Sequence, residues 1–104
     1  ALRVPVPDGS VVDLVACLSK SPSPEEINAA FTTAAEGPLK GIIDYCTSPV
    51  VSSDIVGNPH SCVYDTAFTS TLGEGFVHVL AWYDNEWGYS NRVVDLIDRL
   101  SSFG

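Results

Sequence analysis

The sequence predicts an α+β domain: a mixed, largely antiparallel sheet with helices on one face. Two runs rich in apolar and β-branched residues, Ser10 to Ser19 and Phe76 to Tyr83, read as strands. Two stretches carry apolar residues at helical spacing, one after Ser23 and one after Gly88. Between the helices lie only short extended stretches. The order is therefore strand, helix, strands, helix rather than a regular βαβ alternation.

The chain has 104 residues, enough for one small domain, and 45% are hydrophobic, too many for a disordered tail. A net charge of −8 with five basic residues argues against nucleic acid or an anionic membrane surface as partner. No apolar run reaches membrane-spanning length, and no signal peptide or lipidation motif is present. Cys17, Cys46 and Cys62 are odd in number and form no CxxC pair, which fits a reducing compartment better than a disulfide framework. The chain opens at Ala1 directly into Leu2-Arg3-Val4-Pro5, which suggests a segment of a longer protein.

In Arg3-Val4-Pro5-Val6-Pro7 each proline pushes its predecessor towards extended geometry, so Arg3 is expected on a stiff, extended backbone. Such an arginine is either a solvated surface group or a bidentate grip for phosphate. Asp8-Gly9 reads as a turn and Ser10 to Ser19 as a largely buried strand. Ser23-Pro24-Glu25-Glu26 is a capping box with proline at the first helical position. Ile27, Ala30, Phe31, Ala34 and Ala35 then form one apolar face, and Gly37-Pro38 ends the helix. Ile42 to Cys46 is a short strand, and Val50 to Asp54 an extended course. Ser61 to Thr71 is a strand forming a hairpin with Phe76 to Tyr83 through Gly73-Glu74-Gly75. Tyr89, Val93, Leu96 and Leu100 lie on one face of the last helix, widened by Val94 and Ile97.

The stretch Ala81 to Arg92 holds both tryptophans and joins the last strand to the last helix. Asp84 and Asn85 at the junction are residue types that cap helices. A helix N-terminus offers free N–H groups, and the Asn85 carboxamide carries both donor and acceptor. Tyr89 follows four residues later on the same face. Asn85 is thus either a cap or a recognition group for another amide.

Other chemistry is thinly supported. His60 and Cys62 would share a strand face, a weak catalytic pair, since a buried thiol near a turn histidine is commonplace. His78 reads as an ordinary strand histidine. No zinc-ligand spacing, GxGxxG or P-loop is present, so no metal site is expected. On chemistry alone, the chain looks more like a binding segment than a complete enzyme.

Trp82-Tyr83-Asp84-Asn85-Glu86-Trp87-Gly88-Tyr89-Ser90-Asn91-Arg92-Val93-Val94-Asp95-Leu96 closely resembles the C-terminal signature of phosphorylating glyceraldehyde-3-phosphate dehydrogenases. Arg3-Val4-Pro5 with Val11-Val12-Asp13-Leu14, Glu26 to Phe31, and Leu39-Lys40-Gly41-Ile42 resemble earlier segments of the same family, in order. Asp8-Gly9, Cys17 and His78 depart from the usual family residues.

The resemblance implies residues 1–104 of a C-terminal catalytic-domain part, with an N-terminal NAD-binding Rossmann domain elsewhere. It implies a cytoplasmic, homotetrameric enzyme of glycolysis that turns glyceraldehyde 3-phosphate, NAD and phosphate into 1,3-bisphosphoglycerate and NADH. Arg3 would hold substrate or inorganic phosphate. Asn85 would pair with the nicotinamide carboxamide, and Tyr89 would lie beside the nicotinamide ring. The family's nucleophile string, Ser-Cys-Thr-Thr-Asn, and its base histidine are not in this chain, so none of the three cysteines is expected to be catalytic. The resemblance also implies that the last helix docks on the cofactor domain. NADP as cofactor, a sister dehydrogenase for erythrose 4-phosphate, and a non-catalytic interaction module are the alternatives.

Overall fold

The computed structural model describes residues 1–104. Its sheet has the order β1-β5-β3-β2, with β4 also paired to β5. Here β1 is Ser10–Cys17, β2 Ile43–Cys46, β3 Cys62–Asp65, β4 Ser70–Leu72 and β5 Phe76–Tyr83. The β1–β5, β3–β5 and β4–β5 pairings are antiparallel and β2–β3 is parallel, so the sheet is mixed and largely antiparallel as expected. The hairpin expected from Ser61 to Thr71 is split. β3 ends at Asp65, a short 3-10 turn spans Thr66–Phe68, and β4 alone makes the tight hairpin with β5. Asp65 Oδ1 accepts from Ala67 N at 3.2 Å, a local bond that competes with the ladder and turns the chain.

Helix α1, Pro24–Glu36, begins as its sequence dictates. Ser23 Oγ accepts from Glu26 N at 3.2 Å, and Glu26 Oε2 accepts from Ser23 N at 2.8 Å. The helix sets Ile27 and Phe31 against Tyr64, Val77 and Val79, and Phe31 stacks on Tyr64 with ring centroids 4.0 Å apart. The buried face is rotated from the apolar stripe: Ala30 is exposed and Asn28 faces the sheet. Asn28 Oδ1 accepts from Tyr64 Oη and Thr69 Oγ1, both at 2.7 Å, and its Nδ2 donates to Thr66 O at 3.2 Å. A polar group is tolerated there because its Oδ1 takes two donors and its Nδ2 finds an acceptor.

Two segments differ from their sequence reading. Val50 to Asp54 is not continuously extended: α2, Ser52–Ile55, is a single helical turn that buries Ile55. Asp54 Oδ2 accepts from Val51 N at 2.8 Å and closes that turn. The Arg3–Pro7 segment bends at Pro5, where Val6 N donates to Val4 O at 2.9 Å, a three-residue turn compatible with the fixed proline φ.

Strand β1 is the largest departure. It is an exposed edge, not a buried strand: Val12 is 48% exposed, Leu14 49% and Val15 62%. The reason is coverage. α1 lies over β2, β3 and β5, and nothing in the chain pairs with the outer edge of β1. The last helix α3, Trp87–Ser101, likewise leaves Val94, Leu96, Ile97 and Leu100 more than half exposed. The whole chain exposes 7229 Å², against about 5,700 Å² for a compact monomer of this mass. Its radius of gyration is 15.3 Å, against roughly 13 Å for a compact domain of this length. No helix is long and apolar enough to cross a membrane.

Candidate functional site

Strand β5 ends at Tyr83, and the next three residues turn the chain into α3. Asp84 holds this turn. It is only 5% exposed, and its carboxylate accepts three backbone N–H groups. Oδ2 takes Gly57 N at 2.8 Å; Oδ1 takes Glu86 N at 3.1 Å and Trp87 N at 2.8 Å. The Gly57 bond, then the Trp87 bond, holds the carboxyl well below the usual range, at about 2. A carboxylate at the mouth of α3 also faces the positive end of the helix dipole.

Of the two cap candidates, Asp84 therefore does the capping and Asn85 does not. The Asn85 side chain points away from the helix N–H groups: its Oδ1 accepts from Ser10 Oγ at 2.5 Å, and its Nδ2 donates to nothing within the chain. Its backbone N donates to Asp8 Oδ1 at 3.2 Å. Asp8, Asp84 and Glu86 bring their carboxylates close together, but the backbone donors around Asp84 already account for its charge.

Asn85 and Tyr89 line one open cavity of about 370 Å³, together with Ser61, Tyr83, Asp84 and Arg92. Tyr89 is 73% exposed. Arg92 anchors this side of the helix: Nε donates to Asp95 Oδ2 at 2.8 Å, and one terminal nitrogen donates to Gly41 O at 3.0 Å. Gly88 lets the helix approach the sheet end, since a Cβ there would stand 2.5 Å from His60 O. Arg92 and Gly88 were absent from the sequence reading of the site. Their signal is only that both lie in the signature stretch.

Arg3 lies apart from this cavity. It is exposed and forms no ion pair within the chain. Its neighbours Leu2 and Val4 line a different, larger cavity of about 740 Å³, with Val11, Asp13 and Trp82. The two regions are joined through Asp8 and Ser10, which reach from the N-terminal segment to Asn85.

The three cysteines are free thiols, and both histidines bond to other side chains. Burial raises the Cys62 thiol, and burial followed by the nearby Asp65 charge raises Cys46. His60 directs Nδ1 to Asn58 Oδ1 at 2.8 Å rather than to Cys62. His78 Nε2 lies 2.7 Å from Asp13 Oδ1 across the β1–β5 pair.

What the cavity offers is a free amide donor, an adjacent exposed phenol ring and a rigid frame. That suits a small planar guest bearing its own carboxamide. The chain's sequence matches the family of the glyceraldehyde 3-phosphate dehydrogenase C-terminal domain over residues 1–85. It is 60% identical over 97 residues to a glyceraldehyde-3-phosphate dehydrogenase of Mycolicibacterium smegmatis, covering 93% of this chain and 28% of that protein. A Mycobacterium avium relative of the same name is 59% identical, with the same coverage of both chains. "Glyceraldehyde-3-phosphate dehydrogenase 2" of Streptomyces avermitilis is 55% identical over 92% of this chain and 29% of its own length. These sequence matches place the mixed α+β segment in the C-terminal domain of a dehydrogenase family. The chain belongs to the glyceraldehyde-3-phosphate dehydrogenase family and spans under a third of the length of the relatives it matches.

Proposed function

We propose that residues 1–104 form the C-terminal part of the catalytic domain of an NAD-dependent phosphorylating glyceraldehyde-3-phosphate dehydrogenase. The whole protein would act in glycolysis, in the cytoplasm and as a homotetramer, with its Rossmann domain, nucleophilic thiol and base histidine outside these residues. The observation that carries this reading is the shared cavity of Asn85 and Tyr89 in a chain 60% identical to such an enzyme.

In this reading Asn85 donates through Nδ2 to the carbonyl oxygen of the nicotinamide carboxamide, and Tyr89 lies beside the ring. NAD held there by Asn85 and Tyr89 would supply the hydride acceptor for oxidation of the aldehyde. Asp84 fixes the backbone at the cavity mouth and Arg92 fixes the helix behind it. Arg3 supplies a planar cation for the phosphate of the aldehyde or for inorganic phosphate. The apolar surface of β1 and α3 is where the rest of the protein packs.

The test is steady-state kinetics of the full-length enzyme. Asn85→Ala is expected to raise the KM for NAD at least fivefold. Arg3→Ala is expected to raise the KM for phosphate or aldehyde with a smaller effect on NAD. Unchanged constants for both variants reject these roles. Running the same assays with NADP decides the coenzyme.

A further inference from the structure

We propose that Ser10 is the positioning residue that fixes which way the Asn85 carboxamide faces. The inference rests on the reading of Asn85 as a nicotinamide contact and adds a residue to it. The β1–β5 register sets Ser10 directly opposite Tyr83, at the last rung of the ladder and two residues before Asn85. From there its hydroxyl donates to Asn85 Oδ1 at 2.5 Å. A primary amide presents an acceptor on one side and two donors on the other, and rotation by half a turn exchanges them. A hydroxyl bonded to Oδ1 pins the acceptor inward and leaves Nδ2 facing the cavity as a donor.

The backbone around Asn85 is fixed independently. Asp8 Oδ1 accepts from Asn85 N and also from Gly9 N at 2.7 Å, and Asp84 holds the two residues that follow Asn85. Main-chain placement and amide orientation therefore have separate holders: the two aspartates place the residue, and Ser10 sets the face its side chain shows. The guest selected is one offering a carbonyl acceptor, as the nicotinamide carboxamide does. Without the serine hydroxyl the amide samples both orientations, and only one of them donates.

The experiment measures dissociation constants of the full-length protein for NAD and for ADP-ribose, which lacks the nicotinamide. Ser10→Ala should weaken NAD binding about three- to tenfold, the range one neutral hydrogen bond supports, and leave ADP-ribose binding unchanged. Ser10→Thr, which keeps the hydroxyl, should restore NAD binding. Ser10→Ala added to Asn85→Ala should weaken NAD binding no further than Asn85→Ala alone. Equal loss for NAD and ADP-ribose, or no loss for either, overturns the proposal. If Asn85→Ala itself leaves the NAD to ADP-ribose ratio unchanged, the nicotinamide reading of Asn85 fails, and the proposal with it. If only Asn85→Ala shifts the ratio, the nicotinamide reading stands and the Ser10 role falls. Should Ser10→Ala not fold, Ser10→Cys keeps the volume with a weak donor and must show the same selective loss.

Discussion

The Asp84 carboxylate accepts the backbone N–H of Gly57 at 2.8 Å across 27 positions of sequence, while its other oxygen caps α3. One side chain thus ties the loop after α2 to the start of the last helix and to the candidate cavity. Because the charged form takes these bonds, the folded-state pKa lies near 2, below the ordinary 3.8.

A group with a depressed folded pKa stabilises the fold above its unfolded pKa, and that contribution fades as pH falls through the folded one. The stability difference between the wild-type protein and Asp84→Asn should therefore be constant above about pH 5. It should shrink between pH 3.8 and about 2. Denaturant unfolding of both proteins across this range checks it, and a difference that stays constant down to pH 2 would contradict it.

Gly88 faces a backbone carbonyl, not a flexible side chain, so the protein cannot accommodate a methyl group there by a rotamer change. Gly88→Ala should cost about 1–3 kcal/mol by overpacking, despite the higher helix propensity of alanine. Thermal melts of the full-length protein, compared with an Asp98→Ala control at an exposed position of the same helix, measure this.

Trp82 Nε1 donates to Asp65 Oδ2 at 3.0 Å, and Asp65 is 1% exposed. Trp82→Phe removes the donor and leaves a buried carboxylate short of a partner. A loss of about 1–3 kcal/mol is expected. The paired change Trp82→Phe with Asp65→Asn should lose less than the two single losses added together, because the neutral amide is cheaper to leave partly unpaired. A double-mutant cycle from urea unfolding reads the coupling, and strict additivity would count against the pairing.

Thiol labelling should separate the cysteines. Cys17 is exposed, whereas burial raises the Cys46 and Cys62 thiols. Among these three cysteines, in the folded full-length protein at about pH 7.5, iodoacetamide should modify Cys62 slowest, as followed by peptide mass spectrometry. Rapid alkylation of Cys62 would point to an activated thiol beside His60 after all.

Strands β1, β2 and β5, the capping box of α1 and the span of α3 were legible because each is written in local periodicity and end signals, whereas the break between β3 and β4 at Asp65 was not. The family signature from Trp82 to Leu96 was legible for the same reason: it is one continuous string. What the sequence could not fix was coverage and company. The valine and leucine pattern of β1 reads as buried whether or not anything lies over it, and its exposure follows from an edge position that only the pairing order sets. Asp84 and Asn85 are equally good caps on paper. Which one caps is decided by Gly57 and Ser10, partners 27 and 75 residues away that arrive only when the sheet has formed. By itself, then, the sequence determined the elements and the chemical kinds of group at the site, because those depend on neighbours along the chain. The tertiary structure alone decided which amide stays free to bind and which carboxylate is spent on the backbone, because hydrogen bonds are allotted by proximity in space.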